Sequence, residues 1–249
     1  MQRWASPEAR CPRTIARSGH CAHGWTLGPA LATSRVYQQH GYYHPDVAID
    51  REEYDVRAIS LLAVLRQSEH VDAMLGSARL VVGDPSPVFR FPAYDAFDFE
   101  LPASLRVFGV SQCVEVGRVV SERAAGMGLG GLLTPLGLIQ TVSLYSQRHD
   151  IRGGLAIIKR RFVEGLSRLG VRFHEIEGAR LIYPHDAPMS PYFYRHRDPV
   201  ALVYWLVDEL APLAELAFSR LADARSLAPL RESARNDRES ATTTAGQPQ

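Results

Sequence analysis

Short apolar runs separated by polar turns dominate the middle of the chain. Ile59 to Val64 (ISLLAV) is one such run and predicts a buried strand. The polar stretch RQSEHVDAM then leads into LGSARLVVG, and the two runs together predict an antiparallel pair joined by a loop. Val114 to Val120 (VEVGRVV) predicts a further strand. Alternation from Glu115 puts Gly117 and Val119 on its side and Val116, Arg118 and Val120 on the other, unless a bulge breaks the register. Leu132, Leu136, Ile139 and Val142 recur at helical spacing within Leu132 to Tyr145. GLAII at 154–158 predicts a short strand. Lys159 to Leu169 predicts a helix with a basic outer face, with Phe162, Leu166 and Leu169 inward and Gly170 as its C-terminal cap. Val171 to Ile176 returns as a strand. Val200 to Leu221 predicts a last helix, anchored by Leu202, Val203, Leu206, Leu210 and Leu213, which Pro212 should kink or split.

The segments between these elements divide the chain. Residues 1–25 have no sustained period, and residues 31–43 are aromatic-rich, ending in HGYYHP, where Pro45 stops any helix. Residues 83–104, rich in proline, aspartate and phenylalanine, form a long irregular connection of a kind that is often functional. From Arg231 onward there is almost nothing to bury, so disorder is expected. The division expected is an N-terminal extension (1–30), one mixed α/β domain with a central sheet flanked by helices (31–198), a C-terminal helical segment (199–230) and a tail (231–249). A chain of 249 residues can bury one substantial core, which fits that division.

Charge and cysteine content narrow the function classes. A formal net charge of +1 gives no electrostatic argument for a nucleic-acid partner. Cys11 and Cys21 lie near His20 and His23, but the spacing is not that of a zinc motif, so no metal is expected. No apolar leader follows the start, and the cytoplasm is the expected location. Ala124 to Gln147 carries no formal charge and is long enough to span a bilayer. Its glycines, with Pro135 and several polar residues, read instead as a glycine-rich turn feeding a buried helix.

Five groups could carry chemistry. Glu115 and Arg118 share the VEVGRVV strand. A carboxylate in an apolar strand is exposed, paired or used, so Glu115 is either a base with Arg118 as an anion anchor, or a surface carboxylate beside a salt-bridging arginine. Arg123 to Gly128 (RAAGMG) could hold a pyrophosphate through the backbone N–H groups around Gly126 and Gly128 with the charge of Arg123, or could be a plain turn. The acidic run DREEYD, with Glu52 and Asp55, could bind a cationic amine, although a solvated loop explains it as well. Arg79, central in an apolar strand, needs a carboxylate or a substrate anion. His185, in a loop, is a weaker candidate as a titrating group. No catalytic serine motif, Walker loop or dinucleotide fingerprint is present.

Taken in order, E52-E-Y-D55, an apolar strand, G76-S-A-R79, V114-E-V-G-R118 and L166-S-R-L-G-V-R-F-H-E-I-E-G178 resemble the autoinducer-synthase branch of the GNAT-like acyltransferases. That branch includes acyl-homoserine-lactone synthases, N-acyl amino acid synthases and the acyltransferases of PEP-CTERM/exosortase systems, and the last group looks closest. The resemblance covers about residues 35–195. It implies a GNAT-like acyl-CoA N-acyltransferase fold, with Glu115 as the catalytic-site glutamate, Arg118 as the catalytic-site arginine that follows it, and Arg79, Glu52 and Asp55 as substrate-binding residues. Gly117 stands where the family has a serine, Glu52 where an aspartate is commoner, and S34-R-V-Y37 only partly matches the aromatic N-terminal motif.

The activity implied is transfer of a fatty acyl group from a coenzyme A or acyl carrier protein thioester to the amine of a small acceptor, such as an amino acid. The thioester would be a co-substrate held by Arg123, Gly126 and Gly128, with no tightly bound cofactor, and a lipid product would bring peripheral contact with a membrane. Leu132 to Val142 would be either a core helix or part of an acyl pocket. The alternatives are a homoserine-lactone synthase that uses S-adenosylmethionine, and a non-catalytic module that binds acyl thioesters.

Overall fold

The computed structural model describes residues 13–16, 35–43, 53–66, 72–121 and 130–226. The strands are β1 (Arg13–Ala16), β2 (Ile59–Arg66), β3 (Asp72–Val82), β4 (Phe97–Asp98), β5 (Cys113–Ser121), β6 (Gly153–Lys159), β7 (His174–Glu175), β8 (Arg180–Leu181) and β9 (Val200–Leu206). Seven of them form one sheet in the order β1-β2-β3-β5-β6-β9-β7, and β4 pairs with β8. Neighbours in the large sheet are antiparallel except β5 and β6, which run parallel. A parallel pair needs a crossover, and helix α1 (Gly130–Arg148) lies between these two strands. Two further helices are α2 (Arg160–Arg168) and α3 (Val207–Ser226).

Alternation along the strands builds a core on each face. On one side Leu61, Leu80, Val114, Val116, Ala156 and Trp205 meet Leu136 and Val142 of α1, Leu166 of α2 and Leu210 of α3. On the other, Cys113, Val120, Leu155 and Leu202 lie under Tyr37, Tyr42, Phe91, Phe97, Tyr192 and Phe193. This second layer comes from short turns and loops, and it contains the candidate site.

The antiparallel pairing of β2 with β3 is as expected, with one irregularity between Ala63 and Val64. Helix α2 turns Leu166 fully inward and packs Phe162 and Leu169 against the core. Gly170 ends it at φ +89°, where its N–H donates to the Ser167 carbonyl and that of Val171 to Leu166. These are the two bonds of a Schellman cap.

Other expectations are corrected. Val200–Leu206 is a central strand, not the start of a helix. Ala201, Val203 and Trp205 pack on the helix side while Leu202 packs opposite. A strand covered on both faces is apolar throughout, so it matches helical spacing by default. Helix α3 starts at Val207 and runs unbroken through Pro212. Lys159 is the buried last residue of β6, not part of an outer helix face. Strand β3 begins at Asp72, inside the expected turn, and only His174–Glu175 of the 171–176 run is strand. β1 adds a strand within the expected N-terminal extension. Cys11, His20, Cys21, His23 and the 231–249 tail lie outside the described residues. Among the described residues no helix is long and apolar enough to cross a membrane.

Close approach at the β5–β6 junction depends on glycine. A Cβ on Gly154 would lie 2.5 Å from both the Trp205 ring and the Val114 carbonyl oxygen. Gly154→Ala is expected to lose about 1–3 kcal/mol through overpacking. Gly165 of α2 has nothing within 4 Å of such a Cβ, so Gly165→Ala should gain about 0.5–1 kcal/mol from helix propensity. Urea unfolding of the two variants checks both signs, and a neutral Gly154→Ala would contradict the packing.

Candidate active site

β5 pairs with β6 only at Cys113, Val114 and Glu115, opposite Gly153, Gly154 and Leu155. Beyond those residues the strands part, β5 continuing to Ser121 beside β3 and β6 to Lys159 beside β9. A cavity of about 390 Å³ opens there, lined from β5 by Glu115, Gly117 and Arg118, from β6 by Ile157 and from β3 by Arg79. Its other walls are Tyr37, Tyr54, Pro92, Asp95, Ala96, Tyr183, Met189, Tyr192 and Phe193.

A bulge decides which side chains reach this cavity. The β3–β5 register passes from Ser77 opposite Val120 to Arg79 opposite Gly117, so Ala78 faces two residues of β5, Arg118 and Val119. Arg118 takes φ +50°, in the left-handed region that side-chain-bearing residues seldom occupy. Gly117 and Arg118 therefore both line the cavity. Val119 packs into the helix-side core, and Val120 returns to the cavity side. Strict alternation, which put Arg118 and Val120 opposite Glu115 and Val119 beside it, is corrected by this one irregularity.

The charges are arranged in a chain of contacts. Glu115, only 4% exposed, accepts the backbone N–H of Ala93 at 2.8 Å. Ala93 opens the helical turn Ala93–Ala96, where first-turn amides lack an intrahelical acceptor. Asp55, from the 3-10 turn Glu53–Val56, accepts Arg79 Nη1 at 2.9 Å and Arg118 Nη1 at 3.2 and 3.1 Å. The two arginine side chains are 10% and 8% exposed and that of Asp55 is 30% exposed. Two guanidiniums thus share the Asp55 carboxylate at the wall that also carries Glu115, and their planar forks are suited to gripping a carboxylate. Tyr54 donates to Asp95 at 2.9 Å, and Tyr192 donates to the Ile157 carbonyl at 3.2 Å, on the stretch of β6 that β5 has left.

The structure thus brings Glu115, Arg118, Arg79 and Asp55 together, and the carboxylate that Arg79 needs is Asp55. Glu52, Arg123, Gly126 and Gly128 lie outside the described residues. A Cβ on Gly117 would sit 3.6 Å from Arg79 Nη2, at ordinary contact distance, so the missing side chain leaves room beside that guanidinium. His185 stacks on Tyr194 and does not line the cavity. Leu136 and Val142 belong to the helix-side core, so the acyl-pocket role for that helix is not supported. Of the aromatic walls, Tyr37 falls in the S34-R-V-Y37 motif noted in the sequence, whereas Tyr192, Phe193 and Asp95 carried no signal of their own. Asp95 sits in the 83–104 connection whose length was the available signal. Among the described residues no group of three or more His, Cys, Asp or Glu could hold a metal.

No family model matches the sequence, and no curated protein matches it. Solved structures do. TofI, in a ternary complex with an inhibitor and MTA, aligns at TM-score 0.56 and 16% identity, over 83% of this chain and 98% of TofI. The acyl-homoserine-lactone (AHL) synthase LasI aligns at 0.54 and 15% identity, over 82% of this chain and 94% of LasI. FeeM, an N-acyl amino acid synthase from uncultured soil microbes, aligns at 0.51 and 15% identity, over 83% and 97%. The chain has the mixed α/β fold expected from its pattern, of the GNAT-like kind that the family resemblance implied.

Asp55 is the shared acceptor of both arginines, which sets an order of effects. Asp55→Ala is expected to cost about 2–3 kcal/mol, below the full cost of breaking a buried pair because Asp55 is partly exposed. Arg79→Ala keeps the Asp55–Arg118 pair and should cost roughly half as much. Chemical denaturation of the two variants decides the matter, and a larger loss for Arg79→Ala would contradict the bridging role.

Proposed function

We propose that the chain is an N-acyltransferase that moves a fatty acyl group from a coenzyme A or acyl carrier protein thioester to the amine of a small acceptor. The observation that carries this reading is a buried carboxylate, Glu115, beside the Arg79–Asp55–Arg118 group, where β5 and β6 part. Likeness in fold to an N-acyl amino acid synthase and to an AHL synthase supports it.

In this reading the thioester carbonyl lies in the gap between the strands, where a backbone N–H of β5 beyond Glu115 stabilises the developing oxyanion. Glu115 takes the proton from the attacking amine, directly or through water. The new amide bond forms as the carbon–sulfur bond breaks, and the departing thiolate receives that proton. Arg118 and Arg79 hold a carboxylate of the acceptor, and Asp55 keeps both guanidiniums in place. Arg123, Gly126 and Gly128 are assigned to the donor's pyrophosphate from their residue types and spacing. The catalytic unit is taken as residues 13–226, because β1, β9 and α3 belong to the sheet and its helix layer.

A second reading keeps the donor and changes the acceptor to S-adenosylmethionine, as in a homoserine-lactone synthase, and the likeness to LasI favours including it. Mass spectrometry of purified protein incubated with medium- and long-chain acyl-CoA and acyl carrier protein thioesters, pooled amino acids and S-adenosylmethionine separates the two. An N-acylated amine is expected, reduced about 100-fold or more by Glu115→Gln. Intact thioester with every acceptor would favour a non-catalytic binding module instead.

A further inference from the structure

Lys159 takes no part in the chemistry above, yet it is 7% exposed at the end of β6, two residues beyond cavity-lining Ile157. Its ammonium donates to the carbonyl of Tyr192 and, at 2.8 Å, to the carbonyl of Asp198. It also lies 4.5 Å from the ring centroid of Tyr192 and 5.0 Å from that of Tyr42, within the range of a cation–π contact. Tyr192 in turn stacks on Tyr37, with centroids 5.8 Å apart and planes 8° from parallel, and donates to Ile157. One ammonium therefore ties two loop carbonyls and two rings to the strand edge that β5 leaves open.

Folding disfavours the charged form of this lysine. Burial pushes its pKa down to about 8, partly offset by Asp198 and reinforced by Arg195 and Arg161. The other ionisable groups against it, Tyr42 and Tyr192, are phenols. Burial, followed by Tyr37, Tyr42 and Asp198, holds the Tyr192 phenol well above its ordinary value and therefore neutral. A depressed lysine pKa means that the charged form is less favoured in the folded than in the unfolded state. The charge is thus retained at a cost, and what it provides is placement.

We propose that Lys159 is the positioning residue of the aromatic wall, holding Tyr192 against Tyr37 and so fixing the width of the cavity at the parting of β5 and β6. The inference rests on the function proposed above only in naming what that wall is for.

The test uses the full chain with Lys159→Met and Lys159→Arg. Hydrogen exchange reports on the wall directly, through the amides of Tyr192, Tyr194 and Asp198, which donate to Met189, Ser190 and Arg195. In Lys159→Met these amides should exchange at least about tenfold faster, while the global melting temperature stays within about 3 °C of wild type at pH 7. Lys159→Arg, which keeps charge and donors, should retain protection. Stability of the wild type relative to Lys159→Met should rise with pH between about 8 and 10, because there the unfolded state binds the extra proton. In the turnover assay with acyl-CoA and pooled amino acids, Lys159→Met should raise the thioester KM about tenfold and leave kcat within about threefold. Unchanged exchange in Lys159→Met overturns the proposal whatever the activity. Altered exchange in a protein whose wild type makes no product upholds the clamp and rejects the proposed function.

Discussion

Three residues of β5 hydrogen-bond in parallel register with three of β6, and the pairing stops at Glu115 and Leu155. Each strand then keeps its outer neighbour, β3 or β9, so the sheet stays continuous at one end and open at the other. An open strand edge inside a protein exposes backbone donors and acceptors that need partners. Here the Ile157 carbonyl is met by the Tyr192 hydroxyl, and the cavity reaches Ile157 on one strand and Glu115, Gly117 and Arg118 on the other. The glycines Gly153 and Gly154 allow the tight junction from which the strands diverge, because a Cβ on either would clash with the neighbouring strand or side chains. The aromatic layer, the two arginines and the buried glutamate are all arranged around that divergence.

The bulge at Arg118 adds a second constraint to the first. Without it, residues three apart on β5 would face opposite sides of the sheet, and Glu115 could not share a site with Arg118. A left-handed backbone at a side-chain-bearing residue costs of order 1–2 kcal/mol. The Arg118–Asp55 contacts help to offset that cost, and Asp55 also holds Arg79, so one carboxylate orients both cations. Lys159 does comparable work on the facing wall, with backbone carbonyls and rings in place of a carboxylate. The arginine pair lines the cavity with its charge, whereas the charge of Lys159 is taken up behind the wall by carbonyls and rings.

Much of the scaffold was legible because burial follows simple periods. The runs at Ile59, Leu75, Val114 and Gly154 became strands, and the Leu132–Tyr145 and Lys159–Leu169 spacings became helices, the second one residue later. The run at Val200 misled because a strand buried on both faces carries no alternation to distinguish it from a helix. Lys159 misled because it precedes Arg160 and Arg161, so it looked like the start of a solvated basic face. Glu115, Arg118, Arg79 and Asp55 were found from residue types and order, supported by the family resemblance. Their meeting depends on a bulge set by cross-strand register, which one strand's sequence does not reveal. The Ala93 amide that holds Glu115, and the tyrosines that close the cavity, come from segments without a period, where tertiary contacts alone decide the path.

On the proposed function, an acyl thioester binds at the parting of β5 and β6 beside Glu115. The most direct measurement is a crystal structure with an unreactive thioether analogue of a long-chain acyl-CoA. The sulfur should lie between residues 116–121 of β5 and 156–159 of β6, within reach of the Glu115 carboxylate. Analogue bound instead in the separate hollow of about 380 Å³ beside α2, lined by Arg160, Phe173 and Glu175, would contradict that placement.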